Sequence, residues 1–208
     1  MRSLGNWTGA LAELAAARER SGTTTPLPAR VDGPYGTPSG AIFAARHVVL
    51  IGAGIGVTPF AAILESILLR KRRGDQTLVL ERVHFVWVSR DQHAFEWFAE
   101  LLASLEREDA DQLLDIHIYM SGAREQLAAA ALELAREVFY AKTHRDVVTG
   151  LGARTRFGRP DWDALLTGFL REHAPSRVEV FMCGPHPLGH ELAAICAKLG
   201  MPFHREIF

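Results

Sequence analysis

A glycine-rich stretch that joins an apolar run to an apolar-periodic segment constrains the fold of this chain more than any other feature. The apolar run covers residues 48–51, and the small and turn-forming residues that follow it are Gly52, Gly54, Gly56, Thr58 and Pro59. Glycine adopts positive φ at no steric cost and lets backbone N–H groups approach an anion at the positive end of a helix. The pattern therefore predicts a strand, a phosphate-binding loop and a helix, in that order. The alternative interpretation is a tight strand-to-helix turn that binds no ligand.

Composition places the chain among ordinary globular proteins and excludes several classes of partner. Of its 208 residues, 48% are hydrophobic and 23% are charged, with a formal net charge of −1, so no basic field exists to hold nucleic acid. No apolar run reaches the roughly 18 residues that a membrane helix needs, and the chain is expected to be soluble by itself. The two cysteines argue against a disulfide framework and fit a reducing compartment.

Strands and helices alternate along the chain from residue 45 onward. Short apolar runs predict strands, and apolar residues at helical spacing predict helices. The predicted strands are 47–51, 83–89, 114–120, 178–182 and 202–207, and the predicted helices are 58–71, 91–105, 124–140, 161–170 and 185–199. Residues 141–160 are predicted to form a loop. This alternation implies an α/β fold, a doubly wound, mostly parallel sheet of the Rossmann-like type with helices on both faces.

The first thirty residues have a different character. A short extended start and a turn precede an alanine-rich helix predicted over 8–18, with Thr8 as its N-cap, and a linker follows at 21–28. Because no earlier strand is present to pair with this start, we expect residues 1–30 to be the carboxyl-terminal edge of another domain. Residues 31–208 are then the nucleotide-binding domain, and the chain is expected to be a fragment of a larger protein.

Unusual residues follow the predicted strands, where ligands of such sheets bind. They are Ser89-Arg90-Asp91, Ser121-Gly122 and Cys183-Gly184-Pro185. An acidic residue after the second strand is typical of sites that prefer NAD, whereas an arginine there accommodates a 2′-phosphate. Ser89 and Arg90 therefore predict a preference for NADP. The alternative is that Arg90 is a solvated turn residue and Asp91 only a helix cap.

Cys183 and the pair His186 and His190 carry reactive side chains, but neither is predicted to be a nucleophile or a metal site. Cys183 has only His186 near it in sequence, and a hydride transfer needs no covalent step, so the thiol is expected to pack beside the nicotinamide or simply to be buried. His186 and His190 have the spacing of paired ligands on a helix, but no third ligand is in register. No metal site is predicted.

Several motifs in a fixed order give the chain a family resemblance. They are residues 2–8, 32–38, 52–60, 89–91 with 95–98, 158–162, 183–185 and 206–208. Together they resemble the NADPH-binding part of the dehydrogenase domain of the NADPH oxidases, within the ferredoxin-NADP reductase superfamily, and most of all the calcium-regulated branch. The resemblance implies an oxidoreductase with NADPH and FAD as cofactors, in which electrons pass onward through haem to oxygen and produce superoxide.

The resemblance also implies a role for individual residues. Gly52, Gly54, Gly56, Thr58 and Pro59 would hold the NADPH pyrophosphate, Ser89 and Arg90 the 2′-phosphate, and Arg159 a phosphate or ribose. Cys183, Gly184 and Pro185 would lie against the nicotinamide, Phe208 would stack on the flavin, and Gly5, Trp7 and Thr8 would contact the FAD pyrophosphate. The implied partners are a FAD-binding domain, a haem-bearing membrane domain and a calcium-sensing domain, with the chain on the cytoplasmic face of a membrane.

Two other functions are compatible with the same residues. A ferric-chelate reductase or another flavin-linked NADPH reductase shares the scaffold, although the terminal Phe208 and residues 158–162 favour the oxidase. A regulatory module that binds NADPH without turnover is the alternative of another class. Dependence on flavin separates this module from a reductase, because a sensor should bind the nucleotide equally well with or without FAD.

Overall fold

The structure, a computed structural model, describes residues 6–28, 30, 32–33, 38–90, 93–109, 112–122, 130–146, 149–153 and 155–206. The chain divides into two units, residues 1–35 and 36–208. In the first unit, helix α1 spans Asn6–Arg20. It begins two residues before the predicted cap, so Thr8 lies in the first turn of the helix rather than at its boundary, which corrects that prediction.

The second unit is a six-stranded parallel sheet with helices between its strands. The strands lie in the order β4-β3-β2-β1-β5-β6. They are β1 His47–Ala53, β2 Arg82–Ser89, β3 Leu114–Met120, β4 Thr155–Phe157, β5 Val178–Cys183 and β6 Phe203–Glu206. The helices are α2 Thr58–Arg72, α3 His93–Glu108, α4 Ala130–Thr143, α5 Trp162–Glu172 and α6 His186–Leu199, with 3₁₀ helices at Pro38–Ala44 and Gly54–Val57. The predicted fold class is confirmed.

The sheet is covered on both faces because its central strands are apolar on both sides. Leu50 of β1 lies between Phe85 of β2 and Phe181 of β5 in the parallel register. These side chains belong to the core layer that also contains Phe60 of α2 and Phe98 of α3. The opposite layer is built from Val49, Ile51 and Val180 with Trp162 and Leu166 of α5 and Leu192 and Cys196 of α6.

The strand order locates a crevice. From β1 the chain proceeds outward through β2, β3 and β4, and then returns to place β5 on the other side of β1. Connections therefore leave β1 and β5 in opposite directions, and ligands of such sheets bind where the loops at the carboxyl ends of these two strands diverge. Within the described ranges, no helix is long and apolar enough to cross a bilayer.

The boundaries of most elements agree with the sequence pattern, with one omission. Strand β4 lies in the segment that was predicted to be a loop, so residues 141–160 are not a loop throughout. A three-residue edge strand is too short to show a period of two, which explains the error. The predicted cap of α5 is confirmed, since the Asp161 carboxylate accepts a hydrogen bond from the Ala164 N–H at 3.0 Å. The predicted cap Asp91 lies outside the described residues.

A buried carboxylate holds β4 in place. Asp146 is 4% exposed. Its Oδ2 accepts from the Thr155 N–H at 2.9 Å, and its Oδ1 lies 2.9 Å from the Thr155 hydroxyl and 3.0 Å from the Thr149 backbone nitrogen. Because these donors are withdrawn from water, the carboxylate replaces the solvation that they lose on folding.

We expect Asp146→Ala to lower the free energy of unfolding by about 2–4 kcal/mol, because it leaves the buried donors of Thr155 and the half-buried donors of Thr149 without their acceptor. Urea denaturation followed by tryptophan fluorescence measures the change. The matched control is Asp163→Ala, which removes a partly exposed carboxylate paired with Lys198 and should cost less than about 1 kcal/mol. Equal losses in the two variants would contradict the role of Asp146.

Candidate functional site

The loops that follow β1 and β5 meet in direct backbone contact. A Cβ atom added to Gly56 would lie 2.2 Å from the Cys183 carbonyl oxygen and 3.0 Å from the Gly184 nitrogen. A Cβ atom on Gly184 would lie 2.8 Å from that of Ala53. Only residues without side chains permit this approach, so the glycines of the two predicted motifs shape one crevice between them.

A side chain of β2 stabilises the loop after β1. Gly54 has φ of 58° and starts the 3₁₀ turn Gly54–Val57. Its carbonyl accepts a hydrogen bond from the Trp87 indole N–H at 3.3 Å. Trp87 was not among the residues predicted for the site. A tryptophan in a buried strand needs a hydrogen-bond acceptor for its indole N–H, and this requirement could have indicated a contact with a neighbouring loop. The loop conformation thus depends on a side chain of the neighbouring strand.

The predicted phosphate ligand Thr58 has its donors turned toward the loop itself. Its hydroxyl donates to the Ile55 carbonyl at 2.8 Å, and its backbone N–H donates to the same oxygen. Pro59 lies in the first turn of α2, where a missing N–H is tolerated. Because α2 begins directly after the turn 54–57, the positive end of its dipole lies at the crevice. A direct contact between Thr58 and a phosphate stays a prediction.

The end of β2 combines a fixed backbone with an exposed side chain. Ser89 is buried, and its carbonyl accepts from the Ser121 N–H at 2.8 Å. A Cβ atom on Gly122 would lie 2.2 Å from the Arg90 carbonyl oxygen, so the loop after β3 packs on the Arg90 backbone. The Arg90 side chain is exposed. It can therefore reach a ligand at this edge without a rearrangement of the main chain.

Arg159 lies at the same edge of the sheet. The preceding Gly158 has φ of 94°, and its N–H donates to the carbonyl of Met120, the last residue of β3, at 3.0 Å. Arg159 is exposed, whereas the following Pro160 is buried. The predicted cationic residues after β2 and β4 thus belong to one rim of the sheet.

Cys183 is a buried neutral thiol. It is 3% exposed and packs in the core layer that includes Val57. Burial raises the pKa of Cys183 to about 11, with a further contribution from the charge of Glu206. At neutral pH the group is not a thiolate, which agrees with the expectation that it does not act as a nucleophile. Its contact with a nicotinamide stays a prediction.

Glu206 is a residue of this edge that was not predicted from the sequence. It is the last residue of β6, stands beside Cys183 in the parallel register, and is 8% exposed. Its carboxylate accepts from the Ser39 N–H at 2.9 Å, which ties the 3₁₀ helix Pro38–Ala44 to the edge of the sheet. A charged residue at the end of a strand was the available signal.

The remaining predicted site residues belong to the start of α6, to the first unit or to the positions that are not described. Pro185 is the N-cap residue of α6 and is exposed. Trp7 and Thr8 belong to α1 in the first unit, and Trp7 is exposed. Gly5 and Phe208 lie outside the described residues. The flavin roles of Gly5, Trp7, Thr8 and Phe208 therefore stay predictions.

We expect Gly56→Ala to destabilise the chain by about 1–3 kcal/mol and to weaken nucleotide binding at least about tenfold, since the new methyl group must displace the backbone at Cys183. Chemical denaturation and titration with a pyridine nucleotide measure the two effects. Gly40→Ala is the control, because a Cβ atom there has no neighbour within 4 Å and Gly40 has no positive φ. A Gly56→Ala variant that binds nucleotide normally would rule out the crevice as the site.

Comparison with known proteins assigns the chain to a family. The model of the ferric reductase NAD binding domain matches residues 45–197. Human NADPH oxidase 5 is 40% identical over 200 residues, which cover 86% of this chain and 26% of that protein. A superoxide-generating NADPH oxidase heavy chain of Dictyostelium discoideum is 38% identical over 200 residues, which cover 91% of this chain and 37% of that protein. The matched part of the chain thus spans 26% and 37% of the length of these two relatives.

One solved structure supports the fold independently of close sequence similarity. The CS-b5R domains of human Ncb5or in the NAD+ form align with 99% of this chain and 46% of that chain, at 16% identity and a TM-score of 0.53. The comparisons confirm the predicted resemblance and the pyridine-nucleotide oxidoreductase class. Because the family model matches residues 45–197, well over half of the chain, the chain belongs to the ferric reductase NAD-binding domain family and is related to the NADPH oxidases.

Proposed function

We propose that this chain binds NADPH in the crevice between β1 and β5 and orients its nicotinamide C4 for hydride transfer to a flavin. The observation that carries the proposal is the approach of Gly56 to the backbone of Cys183 and Gly184, which is so close that no side chain fits at Gly56. FAD bound by a neighbouring domain supplies the hydride acceptor, N5. The chain provides orientation, and no acid or base is required of it.

Each part of the nucleotide has a matching region of the crevice. The pyrophosphate fits the turn 54–57 and the start of α2, where the helix dipole favours negative charge. We assign the 2′-phosphate to Arg90, which is exposed, and a phosphate or ribose to Arg159, which is exposed on the same rim. The nicotinamide fits against Gly184 and Cys183. The chain continues from Glu206, beside Cys183, into Phe208, for which we propose a position over the flavin.

The whole protein is proposed to be a superoxide-producing oxidase. Two relatives carry the description superoxide-generating NADPH oxidase in their names, which favours this activity over reduction of a ferric chelate. In this proposal a FAD-binding domain and a haem-bearing membrane domain pass the electrons singly to oxygen, and a calcium-sensing domain regulates the transfer. The present chain then lies on the cytoplasmic face of the membrane and performs the first step alone.

The Arg90→Ala variant tests the nucleotide preference. Loss of charge-assisted hydrogen bonds to a 2′-phosphate should weaken NADPH binding by about 10- to 150-fold and leave NADH binding unchanged. Calorimetric titration of both nucleotides measures the two affinities. Arg73→Ala is the control, because Arg73 follows the far end of α2, about 22 Å from the loop. Equal weakening of NADH and NADPH in the Arg90→Ala variant would show that Arg90 does not read the 2′-phosphate.

The Cys183→Ala variant tests hydride transfer without a covalent step. When the FAD-binding half is supplied, the variant should reduce the flavin about 10- to 100-fold more slowly than the unmodified chain but not lose the reaction, because the thiol only positions the nicotinamide. Since the pKa of Cys183 is about 11, the rate in the unmodified protein should not follow a thiol titration between pH 7 and 9.

Stopped-flow absorbance at saturating NADPH measures the rate of flavin reduction. The control is Cys196→Ala, which removes another buried thiol, with a pKa also raised to about 11, from the opposite core layer. Complete loss of flavin reduction in Cys183→Ala alone, or a rate that rises with an apparent pKa near 8.5, would indicate a reactive thiolate instead.

A further inference from the structure

A cluster of histidine and carboxylate side chains lies at the amino-terminal edge of the sheet. His84 is the third residue of β2, about 16 Å along the strand from Ser89 at the nucleotide edge. It is fully buried, and His117, His173, Asp115 and Glu172 lie around it, while His47 stacks on His173. The nucleotide site uses none of these residues, so the cluster requires an explanation of its own.

The two ring nitrogens of His84 face different partners. Nδ1 lies 3.3 Å from Asp115 Oδ2. Nε2 lies 2.7 Å from Nε2 of His173 and 4.0 Å from Oε2 of Glu172. A proton on Nδ1 is favoured by the carboxylate of Asp115, which leaves the lone pair on Nε2. This arrangement, in which a carboxylate orients a histidine through its other nitrogen, is the usual support of a metal-binding imidazole.

We propose that His84, His173 and Glu172 bind one Zn²⁺ ion, with Asp115 as the outer acceptor that orients His84. One ligand atom from each of the three residues lies within 4.8 Å of the other two. Two histidines and a carboxylate form a known zinc ligand set. Zinc bonds of about 2.0–2.1 Å in tetrahedral geometry place ligand nitrogens about 3.3 Å apart, so the histidine rings must separate by about 0.6 Å.

The end of α5 can accommodate that small shift and favours a cation. Glu172 is the last residue of the helix, His173 follows as its C-cap, and the negative end of the helix dipole therefore faces the ion. His173 stacks on His47 with ring centroids 4.2 Å apart, and His84 stacks on Phe169 at 4.0 Å. These contacts hold the ring planes while a partly exposed helix end remains free to adjust.

A second ligand set around His84 is less suitable. It consists of Nδ1 of His84 with Asp115 and His117. Arg156 Nη1 lies 3.3 Å from His117 Nδ1, and a guanidinium can only donate, so His117 must carry its own proton on Nε2. Arg82 Nη2 also lies 3.8 Å from Asp115 Oδ2 and opposes a second cation there. The ion is therefore expected on the His173 side.

Titration of the purified, chelator-treated chain with Zn²⁺ alone tests the proposal. Calorimetry at pH 7.5 should show one ion per chain, and Co²⁺ should give the visible absorption of a tetrahedral site. Zn²⁺ but not Mg²⁺ should raise the melting temperature, because the ion joins β2 to the end of α5. Absence of saturable binding by Zn²⁺ would overturn the proposal.

Variants of the proposed ligands identify the site, and Glu172 is the most exposed of them. Glu172→Gln and His173→Gln should each lower the Zn²⁺ affinity at least about tenfold, and Asp115→Asn by about 10- to 100-fold, while NADPH affinity is unchanged. The control is the double variant His186→Ala/His190→Ala on exposed positions of α6, which should bind Zn²⁺ as before. Unchanged Zn²⁺ binding in both ligand variants, or its loss in the control, would place the ion elsewhere.

Discussion

The parallel pairing of β1 with strands on both of its sides is the constraint on which the rest of the structure depends. Residues 47–52 of β1 are buried and pair with both β2 and β5, so the chain must leave in one direction and return from the other. That reversal opens the crevice at the carboxyl edge. The loops on its two sides then approach so closely that a side chain does not fit at Gly56 or at Gly184. This close approach explains why glycine occupies both positions.

The same sheet carries polar groups at both edges, and the two groups differ in their exposure to solvent. At the carboxyl edge, the main chain is fixed by hydrogen bonds and glycine contacts, while the side chains of Arg90 and Arg159 remain exposed. At the amino edge, His84 is withdrawn from water and its nitrogens face other side chains. Strand β2 connects the two ends. An exposed cation suits a ligand that arrives from solvent, whereas a buried histidine pair suits an ion or proton that stays.

Much of the fold followed from local patterns, and the parts that did not are long-range or very short. The start of α2 at Thr58 was predicted because the glycines and Pro59 mark that boundary in the sequence itself. The rule that ligands lie beyond strand ends placed Arg90 and Cys183 correctly at one edge. By contrast, β4 has three residues and depends on Asp146, and His84 and His173 are separated by 89 positions. The local periodicity of apolar residues contains no information about contacts between residues so far apart in sequence.

In the proposed binding mode, recognition of the two ends of a nucleotide is divided between the backbone and a side chain of this crevice. The pyrophosphate and nicotinamide are common to NADH and NADPH, and the proposed binding mode assigns them to the turn 54–57 and to Gly184, whose positions the fold determines. The 2′-phosphate distinguishes the two nucleotides, and the proposal assigns it to Arg90, whose exposed side chain can change without altering the main chain. Affinity for the shared part and selection between the nucleotides are therefore separable. A glycine substitution should weaken the binding of NADH and NADPH equally, because it changes the surface that contacts the part common to both nucleotides.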